Sequence, residues 1–126
     1  MKSEIVIIGG GAAGLMAAIE IGRKGKKVLV LERKERILKK VLITGNGRCN
    51  ITNVGADISN YFSMGKGIEG VKGILENFNP EKTIDFFYKL GIVCNEEGRG
   101  KVYPLSGQAA SIVDSLRFEA ERLGIQ

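Results

Sequence analysis

The chain has 126 residues, 44% hydrophobic and 26% charged, with a mean hydropathy of +0.02, which suits one small domain with a core and excludes a disordered tail. Two cysteines, Cys49 and Cys94, and no histidine exclude the usual zinc spacings, a disulfide framework and any mechanism that needs imidazole, so no metal site is expected. The net charge is +5, and nine basic residues fall between Arg23 and Lys40. No aromatic residue interleaves that run and Glu32 and Glu35 interrupt it, so it reads as solvated surface beside an anionic ligand rather than a nucleic-acid face.

In chain order, Ile5–Ile8 is apolar at every position, the pattern of a parallel strand buried on both faces. It runs into Gly9-Gly10-Gly11-Ala12-Ala13-Gly14, followed by a helical pattern to about Arg23, with Leu15, Ala18, Ile19 and Ile21 on or near one face. Gly25 ends this helix and Val28–Leu31 is a second buried-type strand, completing a βαβ unit with a right-handed crossover. Residues 36–44 fit a short helix or an extended piece equally, and residues 44–50 read as a loop. A helix is expected near Ile68–Phe78 and another from an Asn79 N-cap with Pro80 in its first turn. Ile92–Asn95 and Lys101–Tyr103 should form a hairpin around a five-residue loop, and Ser106 can cap a last helix running to Leu123. Ile125-Gln126 reads as the first step of a third parallel strand.

The spacing Gly9-x-Gly11-x-x-Gly14, set between a strand and a helix and followed eighteen residues later by Glu32 after a second strand, is a dinucleotide fingerprint in full context. Each position has a physical task. Gly9 permits the sharp exit from the strand, Gly11 leaves room for a diphosphate at the backbone, and Gly14 lets helix and strand approach. Backbone N–H groups around Ala12 and Ala13, at the positive end of the helix dipole, suit the diphosphate charge. Glu32 can accept hydrogen bonds from ribose hydroxyls and disfavours a 2′-phosphate, which favours FAD or NAD over NADP, although Arg33 and Lys34 soften that argument.

Thr44-Gly45-Asn46-Gly47-Arg48-Cys49-Asn50-Ile51-Thr52-Asn53 resembles the T/S-G-x-G-R-C-N-x-T-N stretch of a bacterial family of aminoacetone-oxidase-like FAD-binding flavoproteins. Gly100–Ala109 is similar to that family's G-R-V-F/Y-P-x-S-x-x-A stretch. The resemblance implies FAD rather than NAD, an ADP half held by the first βαβ unit, and an Arg48-Cys49-Asn50 loop near the flavin end. Lys40 occupies the family's basic position before this loop, while Leu38 stands where the family usually has glycine. Taken without the family, Arg48 can offer a cationic fork to a phosphate or a reduced flavin. Cys49 reads either as a redox thiol or, more simply, as a small buried residue. Cys94 reads as core, and Tyr103 either lines a pocket or packs at the hairpin end.

Together these readings give an α/β, Rossmann-like FAD/NAD(P)-binding βαβ domain with an incomplete parallel sheet, an added β-hairpin and helices. Residues 1–126 are read as the N-terminal part of an FAD-binding domain, its substrate domain absent, belonging to an FAD-dependent oxidoreductase. Cofactor binding is assigned to Gly9, Gly11, Ala12, Ala13, Gly14, Glu32, Arg33, Lys40, Arg48, Cys49 and Asn50, and no catalytic residue is named. The alternatives are a truncated, non-catalytic nucleotide-binding module and, ranked low, a basic nucleic-acid-binding domain. A small-molecule substrate, no membrane or nucleic-acid partner, a cytoplasmic location and a homo-oligomer covering the open sheet edge complete the expectation. This chain alone should hold ADP well and whole FAD weakly.

Overall fold

The computed structural model describes residues 2–64 and 67–126. They form two compact units, residues 2–49 with 108–126 and residues 50–107.

The first unit carries the fingerprint. β1 (Ile5–Ile8) pairs in parallel with β2 (Val28–Leu31), Ile5 opposite Val28 and Ile8 opposite Leu31. α1 (Ala12–Arg23) crosses between them and buries Leu15, Ala18, Ile19 and Gly22. Those positions follow the three- and four-residue spacing of a single helix face. The basic Arg23 falls in the last turn, where it complements the helix dipole, and Gly25 follows at φ +76°. On the free edge of β2, Gln126 donates its N–H to the Val28 carbonyl and accepts from the Val30 N–H at 2.6 Å. This is the hydrogen-bond pattern of a parallel bridge, as expected for a third strand.

One expectation needs correction. β1 is not buried on both faces: exposure alternates along it, and Val6, Ile8 and Leu31 are 53%, 88% and 50% exposed. A continuous apolar run signals that both faces of a strand can be covered, whereas here α1 covers only one.

α4 (Ala109–Arg122) packs on α1 and on residues 41–47. It starts after Gln108, not at Ser106, because Gly107 adopts φ +62° and completes a turn on the Pro104 carbonyl. The undecided stretch 36–44 is neither a regular helix nor a strand. It forms a turn followed by tight 3₁₀ turns over Val41–Gly47, kinked by extended Thr44 and left-handed Gly45 and Asn46.

The second unit holds a three-stranded antiparallel sheet. A two-residue strand, β3 (Thr52–Asn53), lies beside the edge of the expected hairpin and was not foreseen. α2 (Gly67–Asn77) and α3 (Pro80–Lys89) follow it, and the Asn79 side chain caps α3 by accepting the Lys82 N–H at 2.9 Å. β4 (Cys94–Glu97) and β5 (Lys101–Pro104) form the hairpin, in the order β3-β5-β4. Its loop is three residues, Gly98–Gly100, not five, because Glu96 and Glu97 remain paired with Val102 and Lys101. Phe78, Phe86 and Phe87 meet edge to face, with ring centroids 6.4 and 5.2 Å apart. Among the described residues no helix is long and apolar enough to cross a membrane.

Candidate functional site: a glycine turn at the end of two parallel strands

The site begins where β1 ends. Gly9 turns the chain at φ +101°, a conformation that disfavours any side chain, and its N–H donates to the Leu31 carbonyl at 2.8 Å. Gly14 lies in the first turn of α1, where a Cβ would run into the Gly9 carbonyl oxygen and approach Ile7 at 3.4 Å. That contact sets how closely helix and strand pack. By contrast, a Cβ on Gly11 would meet nothing within 4 Å, so the backbone here is open to an approaching group. Gly11 is also the N-cap of α1 and brings no side chain to the first-turn N–H groups of Ala12, Ala13 and Gly14. The turn therefore offers unscreened donors at a positive helix end beside open space, which is what a diphosphate requires.

Glu32 follows β2 directly. Its Oε2 accepts the Gly10 N–H and its Oε1 accepts the Lys34 N–H, both at 2.8 Å. These bonds, the one from Lys34 first, hold its carboxyl below the usual carboxylate range, so it is ionised at neutral pH. Each oxygen keeps a second lone pair for a ligand hydroxyl. Ile8, Gly9, Leu31, Glu32 and Arg33 line a concavity of about 460 Å³ at this edge of the sheet. Apolar Ile8 and Leu31 beside the carboxylate suit a flat, partly apolar base joined to a polar sugar.

The structure thus brings Gly9, Gly11, Ala12, Ala13, Gly14, Glu32 and Arg33 together. Lys40 is exposed at the start of the 41–47 turns in the same unit, and Arg48 is half-buried at their end. Cys49 is buried at φ +61°, its N–H bound to the Thr44 carbonyl, and burial pushes its thiol up. This matches the small buried residue rather than a redox thiol. Asn50 belongs to the second unit, where its side-chain amide donates to the Thr52 carbonyl at 2.9 Å and the Val102 carbonyl at 3.0 Å. Tyr103 is buried in β5.

Gly10, Ile37 and Leu38 were not among the residues assigned to the site from sequence. Gly10, a variable position of the fingerprint, is buried; a Cβ there would stand 2.5 Å from Ile37 Cγ2. Its carbonyl accepts the Leu38 N–H at 2.8 Å. Leu38 is 1% exposed and sits at φ +56°, the conformation that glycine would adopt freely. The departure at position 38 therefore keeps a left-handed turn and adds a buried side chain to it.

Comparisons with known proteins bear on the fold and the family. The chain is 44% identical over 122 residues to a 3-dehydro-bile acid delta(4,6)-reductase of Clostridium scindens, covering 95% of this chain and 29% of that one. It is 34% identical over 122 residues to the ribosomal RNA dihydrouridine synthase of Haemophilus influenzae, covering 97% and 30%. Further matches include enzymes named as FAD-dependent. Among solved structures, the 3-ketosteroid-delta4-(5alpha)-dehydrogenase of Rhodococcus jostii RHA1 has the same fold, with a TM-score of 0.71 at 19% identity over 98% of this chain and 37% of that one. The chain spans about 30% of the length of the two curated relatives named here. Residues 3–126 match the family model described as the HI0933-like protein Rossmann domain, and the chain belongs to that family.

Proposed function

We propose that this chain is the dinucleotide-binding part of an FAD-dependent oxidoreductase and holds the ADP half of FAD. The observation that carries the reading is the Gly9–Gly14 turn, which sets uncapped N–H groups and open backbone next to an ionised carboxylate at the C-terminal end of two parallel strands. The first-turn N–H groups of α1 bind the diphosphate, Glu32 accepts from the ribose, and Ile8 and Leu31 flank the base. FAD, when bound, supplies hydride transfer. The protein's part here is binding and orientation. Relatives named as FAD-dependent support FAD over NAD. Within the family, the run from Gly47 to Asn53 supports the finer assignment to aminoacetone-oxidase-like flavoproteins.

The reaction class follows from two relatives. A delta(4,6)-reductase and a dihydrouridine synthase both add hydrogen across a carbon–carbon double bond, and the same class is proposed for the enzyme of which this unit is part. A second reading gives that enzyme an RNA substrate. It is favoured by the ribosomal RNA relative and by exposed Arg33, Lys34, Arg36 and Lys39 around a concavity of about 510 Å³. Salt-sensitive RNA retention that weakens when these four are neutralised would favour it over a small-molecule substrate.

Calorimetric titration of the chain with ADP tests the main reading. ADP should bind and raise the thermal midpoint. Glu32→Ala should weaken ADP by about tenfold or more, since a charged acceptor is lost along with the bonds that hold the turn. Unchanged affinity in the variant would remove Glu32 from the site.

A further inference from the structure

We propose that the Ile37-Leu38 turn is a positioning element for dinucleotide binding: it clasps the Gly10 peptide and so fixes the turn that leads into α1. This inference rests on the reading of the Gly9–Gly14 turn as the diphosphate site and adds the element that holds it in shape.

Gly10 is gripped from both ends. Its N–H donates to Glu32 Oε2 and its carbonyl accepts from the Leu38 N–H, each at 2.8 Å. The peptides on either side of one residue are thereby tied to two segments that lie 22 and 28 positions further along the chain. Packing closes the third side, because Ile37 Cγ2 and Cβ stand 2.5 and 3.1 Å from the place a Gly10 Cβ would take, and Glu32 Cβ stands 3.4 Å away. Only a glycine fits, and the reason lies in the Ile37 side chain rather than in the ligand.

The clasp is itself anchored. Leu38, whose N–H reaches the Gly10 carbonyl, adopts φ +56°, a left-handed conformation that strains any residue with a side chain. Its side chain is 1% exposed, so burial offsets that strain and keeps the turn from relaxing. Gly11, which follows Gly10 directly, has nothing within 4 Å of a Cβ position. The backbone that meets the ligand has no packing of its own, and the orientation of its N–H groups depends on the fixed peptide before it. Ile37 and Leu38 act through Gly10 and touch no ligand.

A double-mutant cycle on the chain, read by ADP titration and by the thermal midpoint without ligand, tests this. Gly10→Ala should weaken ADP by about tenfold, because the new methyl and Ile37 cannot share the space. Ile37→Ala, combined with Gly10→Ala, removes the 2.5 Å contact while the Cβ of residue 37 stays at 3.1 Å. It should therefore restore part of the affinity, and by more than any recovery of the ligand-free thermal midpoint accounts for, which separates positioning from a merely structural loss. Gly10→Ala binding ADP as the wild type does would overturn the inference, and so would a double variant that binds no better than Gly10→Ala while both remain folded. Failure of the wild-type chain to bind ADP would remove the diphosphate site along with the clasp, whereas wild-type binding with an unaffected Gly10→Ala removes the clasp alone.

Discussion

Glu32 is fixed by the backbone around it. Both oxygens already accept backbone N–H groups, from Gly10 and from Lys34, so the carboxylate is held in place before a ribose arrives. A glutamine there keeps one acceptor oxygen but turns an N–H₂ group toward the other donor, so Glu32→Gln should retain only one of the two bonds and Glu32→Ala neither. Asn50 is held within its own unit. Its amide ties the chain to the Thr52 and Val102 carbonyls within the second unit. Asn50→Ala should therefore lower the stability of that unit by about 1 kcal/mol in a denaturant titration and leave ADP affinity unchanged. Weakened FAD binding at unaltered stability would give Asn50 the ligand role instead.

At the scale of elements, α1 and α4 are joined by a carboxylate. Glu119 is 7% exposed and accepts from Arg23 at 2.9 Å and from Arg122 at 2.6 Å. The Arg122 bond first and the Arg23 bond next hold its carboxyl below the usual range against the opposing effect of burial. A depressed folded pKa contributes stability that is present above the ordinary value of 4.5 and is lost as pH falls through the lower folded value. The thermal midpoint should accordingly drop on acidification below about pH 4.5, and Glu119→Gln should flatten part of that slope. At neutral pH Glu119→Ala should cost about 1–2 kcal/mol, a modest figure because both arginines can turn to solvent. The turn before the 3₁₀ segment makes another prediction. Leu38→Gly relieves the left-handed strain but forfeits a fully buried side chain, so it should be destabilising by about 1–3 kcal/mol in thermal denaturation. A raised midpoint would mean that strain outweighs burial.

At the scale of the whole molecule, the fingerprint residues gather at one end of β1 and β2, where Ile8, Leu31 and Glu32 line one concavity. On the proposed function, contacts of this kind would serve the ADP half. FAD should thus bind this chain no more tightly than ADP does, as read by paired titrations. FAD binding far tighter than that would show that residues here also grip the flavin, with Arg48 and Lys40 the first to substitute.

Much of this was legible in the chain itself. The βαβ order, the Asn79 cap and the glycine turn all rest on local chemistry: side-chain periodicity, a capping amide and the backbone freedom of glycine. Gly9 at φ +101° and Gly14 against the Gly9 carbonyl occupy the positions that the fingerprint assigns them. The coarser expectation of an FAD-dependent relative also came from contiguous runs, and the family that the chain belongs to is the HI0933-like Rossmann domain. Only the tertiary structure decided the rest, because it depends on which distant segments meet. The exposure of Val6 and Ile8 depends on what covers the sheet, and the short β3 depends on the register of β5 beside it. The clasp on Gly10 needs Glu32 and Leu38 to arrive from 22 and 28 positions away, and no local pattern records such a contact.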